Sequence, residues 1–334
     1  MAGVKALRKI QIAKEAVMGT AIPATAVWRG EGVLKDDREI VAVSEDVGLL
    51  VNTDRSYVPR LGATMSMDEV PATFEQLPYL LVTSIEKITT ASTDTGGSGN
   101  IWQFDVATTV ANSVLTCTLE MGDDNRVDEM EYSYVENLSL SGAKGEAVMM
   151  AADWRGRQVT DADFTAALPI PTVEEILFGK GKLYIDATTV GTTQKTSTWL
   201  GFSLDIPSGW KAVYTGDGAL YFTKLEYVGH KGDEITGEIT LEHDATAEAE
   251  ITAARAETVR LIRMSFDGSA LTTAGSTYTY KTLQMDMAVQ YTEVPELSDE
   301  DGDDIVTLPF RVVYSSAAAL AAQITVVNQS LLLT

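Results

Sequence analysis

The sequence predicts a mainly β protein of two tandem β-sandwich or barrel units, each with one flanking α-helix. The first observation behind this is an internal repeat. RLGATMSMDEVPA, residues 60–72, aligns without a gap on EITGEITLEHDAT, residues 234–246, at a constant offset of 174 (234 − 60). In both, a strand of alternating pattern reaches a charged pair, Asp68-Glu69 or Glu242-His243, and a helical stretch follows. Farther on, Gly/Ser/Thr-rich loops at 89–100 and 267–277 each lead to paired aromatics, Trp102 and Phe104 or Tyr278 and Tyr280. Three pairings in one order indicate duplication. The second observation is strict alternation: Leu61, Ala63, Met65 and Met67 share one side of residues 60–68, the pattern of a half-buried strand. The third is composition, rich in Thr, Ser, Val and Gly with only 9 prolines, which leans towards β structure.

A chain of 334 residues has a prior of two domains. The repeat places them at 1–168, with a basic N-terminal arm, and 182–334, with 169–181 as linker. Each half is long enough to bury a core. A hydrophobic content of 45% with 22% charged residues excludes wholesale disorder. The net charge of −23 argues against gripping nucleic acid through its phosphates and against an anionic membrane surface. The single cysteine, Cys117, rules out an internal disulfide framework, fits a reducing cytoplasm and reads as a small buried hydrophobe. Lys5, Arg8, Lys9 and Lys14 interrupt the N-terminus too often for a signal peptide. Residues 312–334 carry no formal charge but hold Ser, Gln and Asn, so they are no membrane span and the protein is expected to be soluble.

In chain order, residues 27–34 read as a strand and 35–55 as an acidic connection or extended hairpin. After strand 60–68, Pro71 suits a first helical turn, and Phe74, Leu77, Leu80 and Leu81 give helix 71–81 an apolar face, with Pro78 shortening its end. Strands follow at 101–106 and 113–120, and 132–141 forms a hairpin with 146–154 across GAKG. In PTVEEILF, Thr172 and Glu175 have capping-box spacing, so 172–178 is expected to be helical. The second half opens with strands 182–186 and 199–206, then a hairpin of 211–214 with 219–227 through TGDG. In 234–243, Ile235, Ile239 and Leu241 face a core, and Asp244 caps helix 245–257. Strands 259–266 and 278–291, the acidic turn LSDEDGDD, and strands 305–314 and 323–327 complete the chain.

No catalytic constellation emerges. His230 and His243 have no repeat counterparts, and Glu69 stands where the second copy has His243. GKGK at 179–182 lacks phosphate-loop spacing. If Gly302 were the sixth residue of a calcium loop, Leu297 and Leu308 would hold its first and last positions, which cannot ligate. No catalytic, cofactor or metal residue is assigned, and the protein is expected not to be an enzyme.

Longer stretches carry a resemblance. KALRKIQIAKEAVMGTAIPATAVWRGEG, DRSYVPRLGATMSMDEVPATFEQLPYLL, YVENLSLSGAKGEAVMMAADWRGRQVT and PIPTVEEILFGKGKLYID resemble the tail tube proteins (major tail proteins) of long-tailed bacteriophages. The resemblance covers roughly residues 3–186 and continues loosely through the second repeat. It implies tube-type domains whose strands join a large continuous barrel, in six-unit rings stacked into a tube for DNA; the type VI secretion tube is similar in architecture. Two units per chain would make the ring a trimer with pseudo-sixfold symmetry. The implied partners are other copies of the chain and the tape measure, tail terminator and distal tail proteins. DNA would pass without specific binding, and the location would be the virion tail, after the host cytoplasm.

Within that frame, Thr64, Ser66, Asp68, Glu234, Thr236, Glu238, Thr240 and Glu242 are the candidates for the lumen. A carboxylate lining repels phosphates over about 8 Å at physiological salt. The same row also suits a solvated outer face. Lys5, Arg8, Lys9 and Lys14 are the candidates for contacts to acidic loops (35–54, 298–304) of the next ring. The alternatives are a non-catalytic carbohydrate-binding β module using Trp199, Trp210, Tyr214 and Tyr221, and a hydrolase on a β scaffold.

Overall fold

A computed structural model describes residues 3–51, 53–230 and 234–330. The fold is mainly β: 49% strand against 8% helical, so the sheets set the architecture. The first half contains β1 (Lys9–Lys14), β2 (Ala26–Trp28), β3 (Gly32–Asp36), β4 (Glu39–Val43), β5 (Arg55–Arg60), β6 (Ala63–Pro71), α1 (Leu77–Ser84), β7 (Ser92–Thr93), β8 (Asn100–Asp105), β9 (Cys117–Gly122), β10 (Val127–Ala143), β11 (Met149–Gly156) and β12 (Val159–Ala162). The second contains β13 (Gly181–Asp186), β14 (Gln194–Lys195), β15 (Trp199–Pro207), β16 (Trp210–Val213), β17 (Lys224–Tyr227), β18 (Thr236–Glu242), α2 (Ala245–Arg255), β19 (Arg260–Ala270), β20 (Tyr280–Tyr291), β21 (Leu297–Glu300), β22 (Asp303–Val312) and β23 (Ala322–Asn328).

One long antiparallel sheet runs through both halves in the order β3-β6-β11-β10-β15-β18-β22-β21. Alternation sorts its side chains into two faces. Met65, Met67, Trp154, Leu138, Leu140, Leu204, Ile206, Ile239, Leu241, Leu308 and Phe310 are buried on one of them. Antiparallel sheets with one wet face carry this pattern.

The buried face packs on a second layer, β2-β1-β9-β10-β12 in the first half and β14-β13-β19-β20-β23-β8-β7 in the second. β10 serves both layers, crossing at a register shift between Met130 and Ser133, the kind of bulge that re-aims a strand. β20 also serves both layers: its pairing with β23 ends at Met287, and Val289, still opposite Arg260 of β19, begins the pairing with β22. One apolar core spans the two halves.

The pairings recur in the same chain order. β1–β9, β9–β10, β10–β12, β3–β6, β6–β11 and β10–β11 have the counterparts β13–β19, β19–β20, β20–β23, β15–β18, β18–β22 and β20–β22. A hairpin, β4–β5 or β16–β17, follows the first long-sheet strand of each half. The aromatic pairing of Trp102 with Tyr278 does not belong to this correspondence. β8, which holds Trp102, is an added strand on the edge of β23, whereas the counterpart of β20 is β10. The two Gly-rich loops meet instead of superposing: the Asp94 carboxylate accepts from Ser276 Oγ and from the N–H groups of Thr277 and Tyr278.

Several other local expectations change. Pro71 ends β6, and the first helix starts at Leu77 with Pro78 in its first turn, where its missing N–H costs nothing. All eight residues of α1 are buried, so it has no amphipathic face. Residues 172–178 are not helical; they lie extended, with bridges Thr73↔Glu175 and Ala147↔Leu177, and only Phe178–Lys180 forms a 3-10 turn. Tertiary pairing overrides the capping-box signal there. Strand 27–34 is two strands, broken before Gly32, and 35–55 contributes one arm of the β4–β5 hairpin. The loop of the second hairpin spans 214–223, longer than TGDG. Asp244 does cap α2, accepting from the N–H groups of Thr246 and Ala247. The expected final strand is β23; the last four residues of the uncharged 312–334 stretch lie outside the described residues. Among the described residues no helix is long and apolar enough to cross a membrane.

Candidate functional site

The second face of the long sheet is open and acidic. Thr64, Ser66 and Asp68 of β6 and Thr236, Glu238, Thr240 and Glu242 of β18 all lie on it, none of them buried. Glu234 lies just ahead of β18, its carboxylate 3.7 Å from Arg311. β6 and β18 are not neighbours; β11, β10 and β15 stand between them and add polar groups that the repeat alone does not nominate. Ser66 Oγ donates to Asp153 Oδ1 at 2.9 Å, and Ser139 Oγ and Asn137 Nδ2 donate to Asp205 Oδ1. Ser141 Oγ donates to Glu69 Oε1 at 3.1 Å. Adjacent strands are about 5 Å apart, inside a screening length of about 8 Å, so the fields of these carboxylates overlap. A shallow depression of about 430 Å³ crosses the middle of this face, lined by Glu69, Ser139, Ser203, Asp205, Glu238 and Thr292.

The two halves join at a seam in which β10 pairs with β15, from Asn137↔Pro207 to Ala143↔Gly201. Gly142 is required there, because a Cβ would stand 2.6 Å from Phe202 and 2.9 Å from Phe178. Beyond Pro207 the β16–β17 hairpin folds over the first half. Phe222 is fully buried with Tyr132 and Tyr134, its ring 5.0 Å from that of Tyr132. Leu61 N–H donates to Leu220 O, Tyr214 Oη donates to Leu61 O, and Arg157 lies between the Tyr132 and Tyr221 rings.

The ends of the long sheet carry no further strand among the described residues, although Leu34 N–H on the β3 edge donates to Met121 Sδ at 3.1 Å. Among the described residues β3 pairs only with β6, and β21 only with β22. Their place in the repeat follows from the pairings. Met67 and Leu241, 174 apart, face Ala152 and Val306. Those two face Leu138 and Leu297, so β21 is the counterpart of the seam part of β10. Likewise Thr64 and Glu238 face Lys35 and Ser203, so β3 is the counterpart of β15. Asp301 and Gly302 both have positive φ, 58° and 90°, the backbone of a type I′ turn. The closing pair Glu300–Asp303 is therefore the hydrogen-bonded kind, and the N–H of Asp299, one residue on, points to the free edge. Two consecutive acids hid this strand, which reads as part of a turn in the sequence.

Of the four basic N-terminal residues only Lys5 and Arg8 precede the first strand; Lys9 and Lys14 are in β1, paired to β9. Lys9 Nζ stands 4.2 Å from the Phe164 ring centre. Lys5 and Arg8 line a cleft with Glu31 and Asp68 at the rim of the acidic face, and Val4 N–H donates to Asp124. A free basic arm is thus reduced to a short one beside β3.

The aromatics considered for sugar stacking serve packing. Trp199 clusters with Phe178, Phe202 and Phe266, and Trp210 packs on Tyr227. Two buried carboxylates have arginine partners: Glu250 receives Arg260 and Tyr291 Oη, and Asp286 receives Arg263. Glu15 and Glu120, also buried, accept from hydroxyls and backbone N–H groups. His243 Nε2 is 2.7 Å from Glu248 on the surface of α2. Among the described residues no group of three or more His, Cys, Asp or Glu could hold a metal ion. No protein-family model matches the chain, and no curated protein matches it.

Proposed function

We propose that this protein is the tail tube protein of a long-tailed bacteriophage, a structural virion protein. Its chains close into rings, and the rings stack into the conduit through which DNA leaves. One observation carries the reading: the two open edges of the long sheet, β3 and β21, are the repeat counterparts of β15 and β10, which join at the seam. A second molecule can add to the first by the contact that the chain already makes within itself. Because the two surfaces differ, the contact is heterologous, and a rotation that closes yields a ring without free sheet edges.

Applying the seam register between molecules sets Glu300 opposite Lys35, as Ser141 stands opposite Ser203. It also sets Asp299 beside Asp36, whose charge Arg38 already balances. Three chains, each with eight strands in the long sheet, would close a barrel of twenty-four. At about 4.8 Å per strand its diameter is roughly 37 Å before strand tilt widens it, an open lumen rather than a filled core. The acidic face would line it and keep phosphates off the wall. The tape measure, terminator and distal tail proteins would meet the ends of the tube, and the virion tail is the location. A carbohydrate-binding module has less support, since Trp199 and Trp210 are taken up in packing.

The test is electron microscopy with native mass spectrometry on the parent and on Asp299→Pro. The proline removes only an outward N–H and blocks edge pairing while sparing the hairpin. Rings of three chains from the parent and monomers from the variant are expected. A parent that stays monomeric at high concentration, or a variant that forms rings as well as the parent, would end this reading.

A further inference from the structure

The β4–β5 hairpin is the least explained part of the molecule. From Glu39 to Arg60 no described side chain is buried, and Ile40, Leu49, Val51 and Tyr57 are all exposed. Leu50 is 108% exposed. A run of this kind on a solvated hairpin is unfavourable unless something covers it.

Its counterpart shows what covers it. The tips align as DVGLLV (residues 46–51) and DGALYF (residues 217–222), an offset of 171 (217 − 46). Leu49, Leu50 and Val51 thus stand for Leu220, Tyr221 and Phe222. Phe222 is 0% exposed because the first half of the chain lies beneath it. The β4–β5 hairpin follows β3 as β16–β17 follows β15, but among the described residues no strand of its own chain pairs with β3 on that side, where only the Met121 side chain meets the edge, its sulfur accepting from Leu34 N–H.

We infer that the β4–β5 hairpin is a clasp for a second copy of this chain, laid over that copy's second half as β16–β17 is laid over the first. This deepens the ring reading and rests on it. The receiving face is named by the same correspondence. Gly156 and Phe310 face Ala63 and Gly237, again 174 apart, so Arg311 stands where Arg157 does. Arg157 lies against Tyr132 and accepts Tyr221 on its other side; Arg311 donates to Gln290 Oε1, and among the described residues no ring lies over it. Leu50 would cover Arg311, and Val51 would reach Gln290. The strand edges of β3 and β21 set the register, and the clasp adds the apolar area that a row of edge hydrogen bonds lacks.

Two variants test this in the full chain. Val51→Cys with Gln290→Cys is treated with a short bismaleimide; Cys117, the native thiol, is buried, and burial pushes its titration far up, so it stays unreactive. Covalent oligomers ending at three chains are expected from rings. The second variant, Leu49→Asp with Leu50→Asp and Val51→Asp, should keep its thermal midpoint, because the tip touches no core, and should lose at least tenfold in ring yield. Rings without the cross-link, cross-links within single chains, cross-links seen only in stacked tubes, or an aspartate variant that forms rings as the parent does would each overturn the clasp while leaving the edge pairing standing. If the parent forms no rings, both fall together.

Discussion

Leu140 of the first half and Leu204 of the second stand opposite each other across the seam, both buried in the shared core. The seam therefore has the energetics of an interior and not of a domain contact. Leu204→Ala should cost about 2–5 kcal/mol, the range for a large-to-small change in a packed core. Urea unfolding should remain one transition, since the halves share one core. Two separate transitions, or a loss well under 1 kcal/mol, would show the halves to be independent.

The strands were legible where one face is wet. Met65/Met67 and Ile239/Leu241 alternate with polar residues because each strand has core on one side only, and a period of two then survives in the sequence. The first helix was misplaced because α1 is buried all round, so no amphipathic stripe marks its start. The stretch 172–178 has a local cap signal but spends its backbone on bridges to Thr73 and Ala147, a nonlocal demand that no local pattern encodes. The acidic row on β6 and β18 was readable from the repeat, whereas Asp153 and Asp205 reach the same face only through the order of pairing.

Acid should loosen the joint between the halves. Asp94 accepts from Tyr278 N–H first, then from Thr277 and Ser276, and these hold its carboxyl below the ordinary range despite some desolvation. Burial pushes Asp186 and Glu174 up. The N–H groups of Thr192 and Thr193 outweigh it for Asp186, and Ser269 with Lys281 outweighs it for Glu174, so both also titrate low. A carboxyl depressed in the folded state stabilises fully above its unfolded pKa of about 4 and loses that contribution as pH falls through the folded value. Glu129, raised by burial and by Glu120 and Glu131, works in the opposite sense. The urea midpoint should be level from about pH 5 to 7 and fall below about pH 4. Asp94→Asn should lower it at pH 7 and make the fall between pH 5 and 3 shallower; an unchanged acid limb in the variant would remove Asp94 from this account.

Stacking of one ring on the next should depend on Lys5 and Arg8 more than on Lys9 and Lys14. The latter two belong to β1, while the former stand on a short turn beside Glu31 and Asp68, at the rim of the acidic face. Each exposed pair contributes only about 0–1 kcal/mol, but in the proposed ring three chains would repeat it, and a rim with both signs of charge would give register to the ring above. Lys5→Ala with Arg8→Ala should leave the fold and the rings intact and shorten tubes, with the deficit against the parent greatest at low salt and shrinking as salt screens these charges, measured as tube length by negative-stain microscopy. Replacing Lys9 and Lys14 instead should disturb the β1–β9 pair and lower the unfolding midpoint. Tubes of parental length from the Lys5/Arg8 variant would place the contacts between rings elsewhere.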